Sequence, residues 1–212
     1  MNAPDVREYE LPAWLQPYTS EFEPLGQPML HHKFYVGFVF PMLLGKQPSP
    51  EECIAYKQKA ANEALAEGNW NQYIWLHERP YRAGALSEML DKRGAASGDE
   101  IGATCRDVWV DSENITQYLE VWDEIFNSMS GYSWMESGDR AAIEALPETF
   151  TVYRGVCEDG DYSWTLSSDV ADFFANRGTH NSTGEVISRQ VSKQDVWAYT
   201  DARTEQEVLI LP

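Results

Sequence analysis

The stretch SGDRAAIEALPETFTVYRGV, residues 137–156, marks a change of pattern along the chain. Its first ten residues read as a helix that stops at Pro147, whose ring removes a backbone donor and ends helical winding. Beyond it the spacing is that of strands. TFTVYRGV, YSWTL, GEVISRQV, DVWAYT and EVLIL are short, rich in β-branched and aromatic residues, and bounded by Gly, Asp and Ser. One helix interrupts them, SSDVADFFANRG, with Ser167 or Ser168 as cap, Val170, Phe173 and Phe174 on an apolar face, and Gly178 as terminator.

Upstream, the pattern is helical. In SPEECIAYKQKAANEALAEG, Ser49 caps, Pro50 takes the first helical position, Glu52 completes a capping box and Gly68 ends the helix. WNQYIWLHERPYRAGALSEMLDKRG predicts two helical pieces broken at Pro80, and GDEIGATCRDVWV predicts another. In NITQYLEVWDEIFNSM, Ile115, Leu119, Trp122, Ile125, Phe126 and Met129 recur at steps of three and four, an amphipathic helix that Asn114 could cap. Trp70, Trp75, Trp109 and Trp122 are core candidates. Residues 1–48 hold seven of the eleven prolines and predict an extended arm or loops, with one apolar segment near 34–44, wrapping the body. The expectation is an α+β chain: an arm over 1–48, a helical region over 49–146 and a mostly antiparallel sheet over 147–212.

Composition narrows the function. With 212 residues and 43% hydrophobic content the chain can bury a substantial core. Its longest apolar run, Phe34 to Gly45, is too short for a membrane span and is broken by Pro41. The acidic, proline-containing start MNAPDVREYELP does not read as a secretory leader. Cys53, Cys105 and Cys157 follow neither zinc nor disulfide spacing, so a reducing cytoplasm is the expected setting. A formal charge of −18 repels phosphate backbones and anionic membranes, so nucleic acid is an unlikely partner; the charge fits a plain acidic cytosolic protein first, and second a surface that attracts basic partners. His31, His32 and His77 lack a third ligand at metal spacing, and His180 lies in a polar loop that reads as exposed, so no metal is expected.

The chemistry gathers near the C-terminus. TEQEVLILP, residues 204–212, places Glu205 and Glu207 two apart, on one face if the segment is a strand. Two such carboxylates repel, and one has a raised pKa unless a cation or hydroxyl compensates. Arg154 in VYRG, Ser163–Trp164–Thr165 followed by a helix with ADFFANR, and EQEVLI come in that order. Together they resemble the arginine, serine-threonine-serine, glutamate-x-glutamate pattern of the ADP-ribosyltransferase superfamily, in its binary-toxin and ecto-enzyme branch. The resemblance covers roughly residues 140–212, and its lead-in IEALPETFTVYRG looks like the family's helix, Leu-Pro, strand entry. It departs from the family in the triplet, where SWT stands for STS.

The resemblance implies a split β-sheet core and an enzyme that cleaves NAD, without a metal, and transfers ADP-ribose to a protein acceptor through arginine. Glu207 would stabilise the oxocarbenium-like ribose. Glu205 would ready the guanidinium acceptor, and Ser163 would hold the Glu207 rotamer. NAD contacts would fall to Arg154 and Gly155, to Ser163, Trp164 and Thr165, and to Phe174, Arg177 and Glu207, with Arg154 as the pyrophosphate clamp. Either Phe173 or Phe174 could stack on nicotinamide by the resemblance, although a Phe on such an amphipathic helix is more often a core residue than a cofactor contact. Two alternatives stay open: an NAD glycohydrolase, and a non-enzymatic acidic binding protein that mimics nucleic acid.

Overall fold

Two antiparallel sheets and a set of helices make up the computed structural model, which describes residues 11–22, 26–39, 48–93, 99–112, 115–156, 162–177 and 184–211. Asn114, Cys157, Gly178 and His180 lie outside these residues. The chain divides into compact units at Met1–Met89 and Leu90–Pro212. That division cuts the chain differently from composition, because the helices of residues 99–145 fall in the unit of the second sheet.

In the first unit the proline-rich region forms a sheet. A 3₁₀ turn over Ala13–Tyr18 leads into β1 (Thr19–Phe22), β2 (Gln27–His32) and β3 (Tyr35–Phe38), ordered β1-β2-β3. An arm of extended chain or loops was the expectation, and the placement of the prolines explains the difference. Pro17 sits in the 3₁₀ turn, and Pro28 is the second residue of β2, where its carbonyl still accepts the Val39 N–H at 2.9 Å. Helix α1 (Pro50–Glu67) carries the expected capping box: Glu52 N donates to Ser49 Oγ at 3.2 Å and Ser49 N to Glu52 Oε2 at 2.8 Å. Gly68 ends it at φ 69°, a left-handed conformation that glycine adopts without strain. Helix α2 (Trp70–Leu76) and α3 (Arg82–Arg93) are separated by a 3₁₀ turn containing Pro80. Leu15, Leu30, Phe34, Ile54, Ile74 and Leu86 are among the buried side chains of this unit, while Trp70 and Trp75 are half-buried.

The second unit opens with α4 (Asp99–Asp111), α5 (Leu119–Ser128), α6 (Gly131–Trp134) and α7 (Ser137–Ala145). Helix α5 begins later than its periodicity suggested, because Ile115–Tyr118 wind as a 3₁₀ turn and Tyr118 takes the cap position. The single turn α6 was not expected; Ser130 caps it, accepting from Tyr132 N at 3.2 Å. Trp109, Trp122 and Trp134 are buried, with Trp109 edge-on to Trp122 at 5.0 Å and Phe126 packed on Trp197 at 4.6 Å.

The remaining elements are β4 (Thr149–Val156), β5 (Ser163–Thr165), α8 (Ser168–Asn176), β6 (Glu185–Ser192), β7 (Ala198–Thr200) and β8 (Glu207–Leu209), in a sheet ordered β6-β4-β5-β8-β7. Ser167 caps α8, accepting from Val170 N at 3.3 Å. The buried face of α8 is Ala171 and Ala175, whereas Phe173 is 62% exposed. Backbone proximity decides this. A Cβ on Gly155 of β4 would stand 2.3 Å from both Ala171 O and Ala175 N, so only small residues fit where the helix lies on the strand. Among the described residues no helix is long and apolar enough to cross a membrane.

Candidate functional site

Thr165 of β5 pairs with Glu207 of β8, and Glu207 with Thr200 of β7. All three residues are buried, a polar row inside the sheet. Strand β8 starts only at Glu207, because the residue before it, Gln206, has φ 49° and Thr204 has φ 58°. Left-handed backbone at a β-branched threonine is strained and persists only where its surroundings fix it. Asp201 does much of that: its carbonyl accepts Thr204 N–H at 2.9 Å and its carboxylate accepts Gln206 N–H at 3.1 Å. From β5, Thr165 Oγ1 donates to Glu205 O at 2.6 Å, and Leu166 N to Gln206 O at 3.1 Å.

Glu205 therefore lies in a turn, and strand alternation is not what relates it to Glu207. A guanidinium joins them instead. Arg203 Nη2 stands 2.9 Å from Glu205 Oε2 and 3.9 Å from Glu207 Oε2, while its Nη1 donates to Val110 O at 2.9 Å. Val110 is in the last turn of α4, where carbonyls lack intrahelical partners and the helix dipole favours a cation.

Glu207 itself is 5% exposed. Its Oε1 accepts from Ser163 Oγ at 2.6 Å and from Trp109 Nε1 at 3.1 Å, so the rotamer is fixed from β5 and from α4. Burial pushes its carboxyl pKa above the ordinary carboxylate value. The Ser163 and Trp109 hydrogen bonds and the Arg203 charge oppose that rise, and the Glu205 charge adds to it. The result is a fixed, desolvated carboxyl beside a second carboxylate that already holds a guanidinium.

Arg154 and Gly155 stand at a parting in the sheet. The β4–β5 ladder consists of one pair, Tyr153 with Thr165, whereas β4 and β6 pair along eight residues each. Tyr153 is thus the β4 residue in the row of Glu207. Alternation puts half-buried Arg154 with Val152 on the opposite face. That face also carries Trp164, which is buried beneath Arg189, with the guanidinium 4.3 Å from the ring centroid. Thr165 holds the turn as described and accepts Ser167 N–H at 3.0 Å. Phe174 is half-buried with the Arg177 guanidinium 5.4 Å above its ring. The structure thus brings together Ser163, Glu205 and Glu207, and leaves Arg154, Trp164, Phe174 and Arg177 outside that cluster of contacts. Gly155 has a packing role, as the seat of α8.

Behind the turn lies a cavity of about 350 Å³ lined by Arg106, Glu136, Asp139, Thr200 and Asp201, among others. Arg106 bridges Asp107 and Glu136 at 2.8 Å each, and burial raises the Asp139 pKa above its ordinary value.

Two members of the site escape a sequence reading. Trp109 is 98 positions from Glu207, and its indole reads only as a core residue. Arg203 carried a weak signal, as the one cation in DARTEQE, next to carboxylates that need one. Comparison of the chain with protein families, curated proteins and solved structures finds no match.

Proposed function

We propose that the second unit is a mono-ADP-ribosyltransferase that cleaves NAD and transfers ADP-ribose to an arginine of a protein acceptor. The observation that carries this reading is the Ser163 Oγ–Glu207 Oε1 hydrogen bond of 2.6 Å, the contact that the motif resemblance implies between residues 44 positions apart. The Glu205–guanidinium pair beside it supports arginine as the acceptor.

In the reaction the C1′–N bond to nicotinamide breaks and its electron pair leaves with neutral nicotinamide. Positive charge builds on the ribose, where the Glu207 carboxylate stabilises it. An acceptor guanidinium nitrogen held by Glu205 forms the new bond to C1′ and gives up a proton to that carboxylate or to water. Trp109 Nε1 occupies a hydrogen-bonding place on Glu207 that a ribose hydroxyl would take, so turnover includes displacement of the indole. Arg154 lies on the opposite face of the sheet from Glu207 and Gly155 is covered by α8, so the phosphate contacts that the resemblance implies for these two residues are not part of this reading.

Purified protein with labelled NAD and a cell lysate is expected to give labelled protein bands that disappear in Glu207→Ala. Absence of both labelling and nicotinamide release would overturn the reading. The occlusion of Glu207 by Trp109 favours one second reading, a non-enzymatic acidic binding protein in which Glu207 serves the fold. That protein would bind a basic partner, lose it steeply with salt, and be indifferent to Glu207→Gln.

A further inference from the structure

Three groups from separate elements surround the Arg203 guanidinium: the Val110 carbonyl accepts from Nη1, and the carboxylates of Glu205 and Glu207 stand 2.9 and 3.9 Å from Nη2 as ion-pair partners. The hydrogen bond comes from Nη1 and both ion-pair contacts from Nη2, so the contacts use two nitrogens of one planar cation, which an ammonium does not have. Arg203 is also not what shapes the turn. Asp201 and Thr165 fix its backbone through hydrogen bonds of their own. Removing the side chain would therefore leave the acceptors in place, with two carboxylates close together, one of them buried, and no cation between them.

We infer that Glu205, Glu207 and Val110 O form a guanidinium-binding site whose resident occupant is the chain's own Arg203. The side chain is 39% exposed, so it can be exchanged for an external guanidinium from the solvent side. The inference rests on the transferase reading for its consequence: if Glu205 receives the acceptor, Arg203 is a built-in competitor for that place. The protein then rests with its acceptor site filled, and acceptor arginine must displace Arg203. The geometry of the site is independent of that reading.

The test uses the full chain carrying Arg203→Ala, with ethylguanidinium as probe and ethylammonium as the control of like size and charge, in titration calorimetry and thermal melts. The variant is expected to bind ethylguanidinium at least roughly tenfold more tightly than wild type or than Arg203→Ala/Glu205→Gln, and to gain melting temperature with it. Equal binding by wild type, equal response to ethylammonium, or no binding by the folded variant overturns the inference. Should Arg203→Ala not fold, side-chain NMR of wild type decides. Restricted Arg203 Nη resonances that become freely rotating in Glu205→Gln support the site, and free rotation in wild type overturns it.

Nicotinamide release from NAD, followed in the same samples, separates the two readings. Guanidinium binding without NAD cleavage sinks the transferase and leaves this site standing. Cleavage without guanidinium binding does the reverse.

Discussion

The two halves of the C-terminal sheet are built on different terms. On one side β4 and β6 pair along their full eight residues, with β6 largely exposed and β4 covered by α8. On the other side β5, β8 and β7 contribute three residues each, and only Ser163 among those nine is not buried. The long ladder is stabilised by its own backbone pairing. The short one depends on burial and on polar side chains that satisfy each other: Thr165 on Glu205 O, Ser163 and Trp109 on Glu207, Asp201 on the turn. A buried carboxyl and two left-handed non-glycine residues are concentrated in the second half, and that strain and desolvation support the functional reading proposed for it.

The sharpest way to break that contrast is to remove the carboxyl. Glu207→Gln keeps the shape and is expected to lower the rate of nicotinamide release by about 10²–10³-fold, the effect of losing one electrostatic group at a developing charge. Ser163→Ala removes only what positions it, and a smaller loss, roughly tenfold, is expected. If both variants cleave NAD like wild type, the short half is simply core.

The long half should answer to packing alone. Gly155→Ala pushes a methyl against the backbone of α8, which cannot swing aside as a side chain can, so a destabilisation of about 3 kcal/mol is expected in urea unfolding. Gly138→Ala in α7 is the control, since nothing lies within 4 Å of the added Cβ, and helix propensity predicts a gain of roughly 0.5–1 kcal/mol. Trp109→Phe comes next. It keeps most of the aromatic packing against Trp122 but deletes one donor to a buried carboxyl, an expected loss of about 1–2 kcal/mol. In the transferase reading that same variant opens Glu207 and lowers the KM for NAD.

How legible these halves were in the sequence follows from the same difference. The extent of β4 and the cap and terminator of α1 could be read closely, because β-branched runs and capping boxes act over a few residues. The mixed α+β class with antiparallel sheets was legible for the same reason. The face of α8 was misjudged, since amphipathic spacing favoured Phe173 and the contact with Gly155 that selects Ala171 and Ala175 comes from another strand. The N-terminal sheet was hidden by a proline count that says nothing about where each proline sits. In the candidate site, the contact between Ser163 and Glu207 was legible through the motif resemblance. The relation of Glu205 to Glu207 was expected from strand alternation, and φ 49° at Gln206 defeats that expectation. Trp109 could not be found at all, because long-range side-chain contacts leave no local trace.

The smallest expected effect tests the electrostatics of the short half. The Glu207 carboxyl is raised above its ordinary value mainly by burial, so the folded protein holds this proton more tightly than the unfolded chain does. Below the unfolded value both states are protonated and the group contributes nothing to pH dependence. As pH rises through the window above it, the unfolded chain releases its proton first and stability falls, levelling off once the folded carboxyl has ionised too. Glu207→Gln lacks this loss. The variant's stability relative to wild type should therefore improve between about pH 4 and neutral pH. Asp139, also raised by burial, is common to both proteins and cancels in the difference. Urea unfolding at the two pH values measures it. A relative loss with rising pH would mean that Ser163, Trp109 and Arg203 outweigh desolvation, and that the short half holds Glu207 as a stabilised anion, ready for a cationic ribose without any change in protonation.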